Sequence, residues 1–143
     1  MQKQRRPDAR GGSQTRPVFL TMKRISILFA LFIVLIIVLA DMGRLGILKQ
    51  VNRIPYGDKA GHFLLYGILT LLIDLTLFRS HPLRDPKRIA VICGSILALL
   101  IGLEEFSQRY FASRTFSLLD LTASYLGVAF FTWVALRIKN RTR

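Results

Sequence analysis

The chain has 143 residues, 52% of them hydrophobic, and 21 Lys and Arg against 8 Asp and Glu give it a formal net charge of +13. Its length bounds a single domain, and a mean hydropathy of +0.40 with the apolar residues gathered in blocks argues against a water-soluble core. The basic residues lie between and outside those blocks, which argues against a nucleic-acid-binding face, and the single Cys93 excludes an intrachain disulfide.

Residues Met1 to Arg24 are polar and basic and are broken by Pro7, Gly11, Gly12 and Pro17. Such a segment buries too little apolar surface to offset its ordering entropy, so a disordered cytoplasmic tail is expected over 1–24. Met22-Lys23-Arg24 directly precedes the first apolar block, and translation from Met22 is an alternative expectation to a start at Met1.

Four apolar blocks follow: Ile25 to Ala40, Ala60 to Phe78, Ile89 to Leu103 and Leu118 to Leu136. Each approaches the ~20 residues needed to cross a hydrocarbon core of ~30 Å. The fold class they predict is all-α, a polytopic membrane protein with a four-transmembrane-helix bundle over 25–136. The first block also resembles a signal peptide, with Val38 and Ala40 before Asp41. Its length, and the ability of Lys23 and Arg24 to snorkel, favour an uncleaved anchor over a three-span product.

Seven Lys and Arg lie between Lys3 and Arg24, four between Arg79 and Arg88, and four in the basic tail 137–143, leaving six for the two other loops. The positive-inside rule then places both termini in the cytoplasm of a multi-pass protein of the cell inner (cytoplasmic) membrane, with Arg44, Lys49, Arg53 and Lys59 weakening the contrast.

The outer loop from Asp41 to Asp58 contains Gly43, Gly46, Pro55 and Gly57 and is expected to be irregular, with an interfacial turn around Leu45 to Val51. Asp58 suits an N-cap for the second helix, and Pro82 and Pro86 end that helix and start the third. Asp74 is expected to snorkel toward Arg79, with a proton-relay role as the sharper alternative. In the third helix Gly94, Ala98 and Gly102 recur every four residues, the small-residue spacing of close membrane packing. At about 100° per residue Glu105 falls within roughly 20° of Ala98, whereas Glu104 points about 120° away, so Glu105 is expected inside and Glu104 at headgroups or water. The same arithmetic puts Asp120, Ala123 and Gly127 on one side of the fourth helix.

The start of the second helix, the end of the third and the start of the fourth share one side of the predicted bundle. Seven polar residues converge there: Asp58, Lys59, His62, Glu105, Gln108, Arg114 and Asp120. Lys59, His62 and Tyr66 form one stripe at i, i+3 and i+4 spacing. Removing so many polar groups from water solely for scaffolding is expensive, and a pocket at the bilayer edge competes with a purely structural reading. Lys59 and Arg114 suit an anionic group, Lys59 as a point charge and Arg114 through its fork. His62, whose side chain ordinarily titrates near ~6.5, and Glu105 are the candidate acid and base. No H-E-x-x-H, Cys pair, Gly-rich phosphate loop, G-x-S-x-G or dinucleotide fingerprint occurs, and His81 lies on the opposite side, so no metal and no cofactor are expected.

The run DKAGHFLLYGIL from Asp58, EFSQ at 105 to 108, Arg114 and DLTASYLG from Asp120 to Gly127 together resemble the VanZ-like family of small membrane proteins. The resemblance covers most of 58–127, with one departure: Ser124 stands where the family pattern usually has Asn. It implies an integral membrane protein with a part in envelope or antibiotic response, including altered susceptibility to teicoplanin-type glycopeptides. Three readings follow. The first is an outward-facing polar pocket binding an anionic or polar envelope molecule, with membrane lipids or a lipid-linked envelope precursor as partners and no nucleic acid. The second is a membrane-embedded hydrolase or transferase acting on a lipid-linked substrate, and the third a structural subunit of a membrane complex. The sequence leaves the ligand, catalysis and oligomeric state open.

Overall fold

The structure is a computed structural model describing residues 15–42, 44, 55–111 and 115–141, with backbone alone for 15–19 and 41. It contains four long α-helices: α1 (Thr15–Asp41), α2 (Gly57–Ser80), α3 (Pro86–Ser107) and α4 (Leu118–Arg141), with a 3-10 turn, Gln108–Tyr110, extending α3. All four carry stretches long and apolar enough to cross a membrane: Leu20–Ala40, Gly57–Ser80, Pro86–Tyr110 and Leu118–Arg141. The all-helical class and the four apolar helices agree with the reading of the sequence.

Helix ends depart from expectation where local chemistry overrides the apolar pattern. Residues 15–24 of the expected tail are helical, because α1 begins at Thr15. Pro17 falls in its first turn, where a missing N–H breaks no intrahelical bond. Residues 1–14 lie outside the described residues, as does the turn expected around Leu45 to Val51. The basic tail is likewise helical as far as Arg141, with Lys139 and Arg141 in the last turn of α4 at the negative end of its dipole. Asp58 is not the N-cap of α2. Tyr56 takes that position with a left-handed φ of 61°, and Asp58 stands in the first turn, where its Oδ1 accepts the Lys59 N–H at 2.9 Å. α3 opens as expected on Pro86, with Asp85 as the cap accepting from Lys87 N at 3.1 Å.

α2 and α4 make the most extensive helix pair. Two glycines permit it: a Cβ at Gly127 would overlap the Phe63 carbonyl, and one at Gly67 would overlap the Phe131 ring. α3 covers this pair through Cys93, Leu97 and Ile101, which join Tyr66, Leu69 and Val128 in the core. The Gly94, Ala98 and Gly102 stripe lies beside that buried row and meets α4, where the Tyr125 hydroxyl donates to the Ala98 carbonyl at 3.1 Å. α1 attaches to α2 through a polar clamp, the Ser26 hydroxyl lying 3.1 Å from the Leu72 carbonyl and 3.0 Å from Thr76 Oγ1. Outside this packing the bundle is greasy, with Leu28, Val91, Leu99, Leu126 and Trp133 exposed across α1, α3 and α4. An exterior of this kind suits contact with apolar surroundings.

Asp74 does not snorkel. It is 0% exposed, and its Oδ2 accepts from the Thr132 hydroxyl on α4 at 3.0 Å. A close partner on the neighbouring helix competes successfully with the longer reach to the loop.

Candidate functional site

The chemistry-bearing residues of α2, α3 and α4 come together at one end of the bundle. Lys59 on the first turn of α2 lies between two carboxylates, 2.6 Å from Asp58 Oδ2 and 3.1 Å from Asp120 Oδ1 at the start of α4. One turn on, His62 Nδ1 is 3.2 Å from Ser124 Oγ, and a further turn on, the Tyr66 hydroxyl donates to Glu104 Oε2 at 3.0 Å. The Lys59, His62 and Tyr66 stripe of α2, in steps of three and four residues, thus contacts α4 with its first two members and α3 with its third. The His62 and Tyr66 rings lie 5.9 Å apart and link the two contacts.

Ser124 constrains His62. Its hydroxyl donates to the Asp120 carbonyl at 2.9 Å, a bond whose acceptor has no proton to give. The hydroxyl has one proton, so its oxygen is left to accept from His62, which assigns a proton to Nδ1 and leaves Nε2 as the basic nitrogen of the neutral ring. In the sequence Ser124 was notable as a departure from a family pattern; in the structure it is fully buried and sets the tautomer.

The second half of the cluster is a carboxylate clamp at the end of α3. Glu105 is 1% and Gln108 2% exposed. The Gln108 amide donates to Glu104 Oε1 at 2.9 Å and to Glu105 Oε2 at 3.1 Å, using both N–H groups to hold two carboxylates. Glu105 Oε1 accepts the backbone N–H of Ser117 at 2.8 Å. Ser117 is the cap of α4: its hydroxyl oxygen accepts from Asp120 N at 3.3 Å, and its carbonyl accepts from Leu121 N at 3.1 Å. In a capping box the acidic residue three positions on reaches back to the cap's N–H. Here Glu105 of the preceding helix takes that N–H, and Asp120 turns to Lys59.

Glu105 is therefore interior, as expected, but Glu104 is a correction. It is half-buried and held by Tyr66 and Gln108, because helix arithmetic on α3 alone omits the reach of a Tyr from α2. Ser117 was also missed, although Ser117-Leu118-Leu119-Asp120 before an apolar run is a legible capping signal. Arg114, expected at the site, lies outside the described residues. Arg109 stacks on the Phe106 and Phe116 rings, 4.7 Å and 4.5 Å from their centroids, and so braces the α3–α4 connection.

Six of the seven expected residues thus belong to one connected end of the bundle. Asp58, Lys59 and His62 are partly exposed, while Glu105 and Gln108 are buried. Among the described residues, no group of three or more His, Cys, Asp or Glu is placed to hold a metal ion. The arrangement can present a titratable imidazole, a lysine ammonium and carboxylate acceptors from a rigid base.

No protein-family model and no solved structure matches the chain. It is similar to an uncharacterized protein of Schizosaccharomyces pombe, strain 972, at 34% identity over 98 residues that cover 68% of this chain and 56% of that protein. The chain spans little more than half the length of that relative.

Proposed function

We propose that the chain is a VanZ-like multi-pass protein of the inner (cytoplasmic) membrane, with both termini in the cytoplasm, and that its polar end faces outward and binds the headgroup of an envelope molecule. The observation that carries this reading is the knitting of three helix ends by Lys59 with Asp120, His62 with Ser124 and Tyr66 with Glu104, in a bundle that is otherwise apolar outside. Intramembrane and rim charges are costly and mark sites of function. The charge sense refines the ligand. Asp58 and Asp120 flank Lys59, Glu104 and Glu105 add two more carboxylates at the end of α3, and Arg109 is taken up by the Phe106 and Phe116 rings, so the best-fitting headgroup offers hydroxyl or amine donors to the carboxylates as well as an anionic group to Lys59 and Arg114. A lipid-linked envelope precursor has that chemistry, and altered glycopeptide susceptibility is the phenotype that would follow.

One observation favours a structural role for part of the cluster: Glu105 and Gln108 bond to each other and to the cap of α4. We assign these two to holding the rim and the partly exposed trio Asp58, Lys59 and His62 to meeting the ligand. The test is mass spectrometry of lipids co-purifying with the intact chain and with Lys59→Ala and Arg114→Ala. A headgroup class present with the wild type and lost from both variants is expected; identical lipids in all three would refute a binding site.

A further inference from the structure

α2 carries a second acidic residue far from the polar rim. Asp74 lies six residues before Ser80, about 9 Å inside the opposite end of the helix, and is 0% exposed. Its Oδ2 accepts from Thr132 on α4, while its Oδ1 is buried with no hydrogen-bond partner among the described residues. Of the helices packed around it, α3 brings the Cys93 thiol beside the carboxyl and α4 brings the Thr132 hydroxyl. α1 makes its polar contact with α2 two residues farther on, between Ser26 and Thr76. The ion pairs among the described residues belong to Lys59, and none reaches Asp74. The side chains facing this carboxyl are therefore neutral, and in an apolar interior a carboxylate charge requires a positive partner.

A cleft reaches Thr132, the donor to this carboxyl, although Asp74 itself does not line it. α3 and α4 enclose an open cleft of about 570 Å³ whose wall includes Thr132, with the small residues Gly94, Ala98 and Ala129 leaving the space. Thr132 thus belongs both to the cleft and to the Asp74 contact. Lys87, six residues before Cys93 on α3, is the charged residue of the wall.

We propose that Asp74 and Thr132 form a binding site for one monovalent cation, a proton or a sodium ion, reached from the α3–α4 cleft. The site goes beyond the headgroup-binding rim and does not depend on it, since it rests on the packing of α2, α3 and α4 alone.

The test uses the full chain in lipid vesicles and dicyclohexylcarbodiimide, an apolar reagent that reacts with a protonated carboxyl. The acid proton passes to one carbodiimide nitrogen, the carboxyl oxygen bonds to the central carbon, and the adduct rearranges to an N-acylurea without a leaving group. Covalent label at Asp74 is expected, lost at high pH when a proton is the occupant, or lost on adding sodium chloride but not choline chloride at fixed pH when sodium is. Thermal melting covers the case of a shielded carboxyl. A cation bound to the folded state raises its midpoint, so the wild type should depend on pH or sodium in a way that Asp74→Asn does not. Should Asp74→Asn fail to fold, Thr132→Val, which keeps the carboxyl and the shape of its neighbour, provides the comparison, with a shifted pH or sodium dependence expected. Label insensitive to both pH and sodium overturns the proposal. So does absent label accompanied by the same pH and sodium dependence of melting in wild type and variant.

Discussion

Replacing Glu105 tests whether it is a strut or a proton-transfer group. Its two oxygens hold donors on opposite sides, the Ser117 N–H at 2.8 Å and the Gln108 amide at 3.1 Å. Hydrogen bonds to a charged group contribute about 1.5–3 kcal/mol each, so Glu105→Ala, which orphans both donors, should cost about 3–6 kcal/mol. Glu105→Gln keeps one acceptor oxygen. If that oxygen faces Ser117, the new NH2 meets the NH2 of Gln108; if Gln108 flips to present its own oxygen, that oxygen meets Glu104 Oε1 instead. One contact is frustrated in either arrangement, and the expected cost is about 1.5–3 kcal/mol. Unfolding of the purified protein in detergent, followed by helical circular dichroism, measures both. A double-mutant cycle with Gln108→Leu should give a coupling of about 0.5–3 kcal/mol. If Glu105→Gln unfolds within about 0.5 kcal/mol of the wild type, as surface substitutions do, the strut reasoning fails.

Other substitutions probe separate joints of the bundle by the same unfolding measurement. Gly127→Ala should destabilise by about 1–3 kcal/mol, because its methyl meets Phe63 backbone that cannot rotate away, whereas Gly61→Ala, with nothing within 4 Å, should be tolerated. Ser124→Ala removes the acceptor from His62 and should cost about 0.5–1.5 kcal/mol, with a changed Nδ1 signal in imidazole NMR; an unchanged ring environment would refute the tautomer assignment. Ser117→Ala should cost about 1 kcal/mol through loss of the α4 cap, and an unaltered melting curve would refute that role.

Apolar block lengths, loop prolines and small-residue spacing were enough to read four helices and the end at which their polar residues meet. Glu105 is inside as expected, but on the row of Leu97 and Ile101 rather than on the Gly94, Ala98 and Gly102 stripe from which its position was argued. What sequence spacing does not carry is the reach of a side chain from another helix. Tyr66 reclaims Glu104 from the water side, and Thr132 holds Asp74 away from the loop. Helix ends were misplaced for a related reason, since a tolerant first turn admits Pro17 and a left-handed Tyr56 starts α2 before Asp58. Ser117 was readable from its spacing to Asp120, but the partner of its N–H, Glu105, comes from across a loop.

Impermeant thiol labelling of single cysteines in a Cys93→Ala background most directly tests the shared outer rim. Asp58→Cys and Arg109→Cys should both react from outside intact cells, while Arg84→Cys, in the loop between α2 and α3, should react only after the membrane is opened. Positions 58 and 109 reacting from opposite sides would contradict a common site.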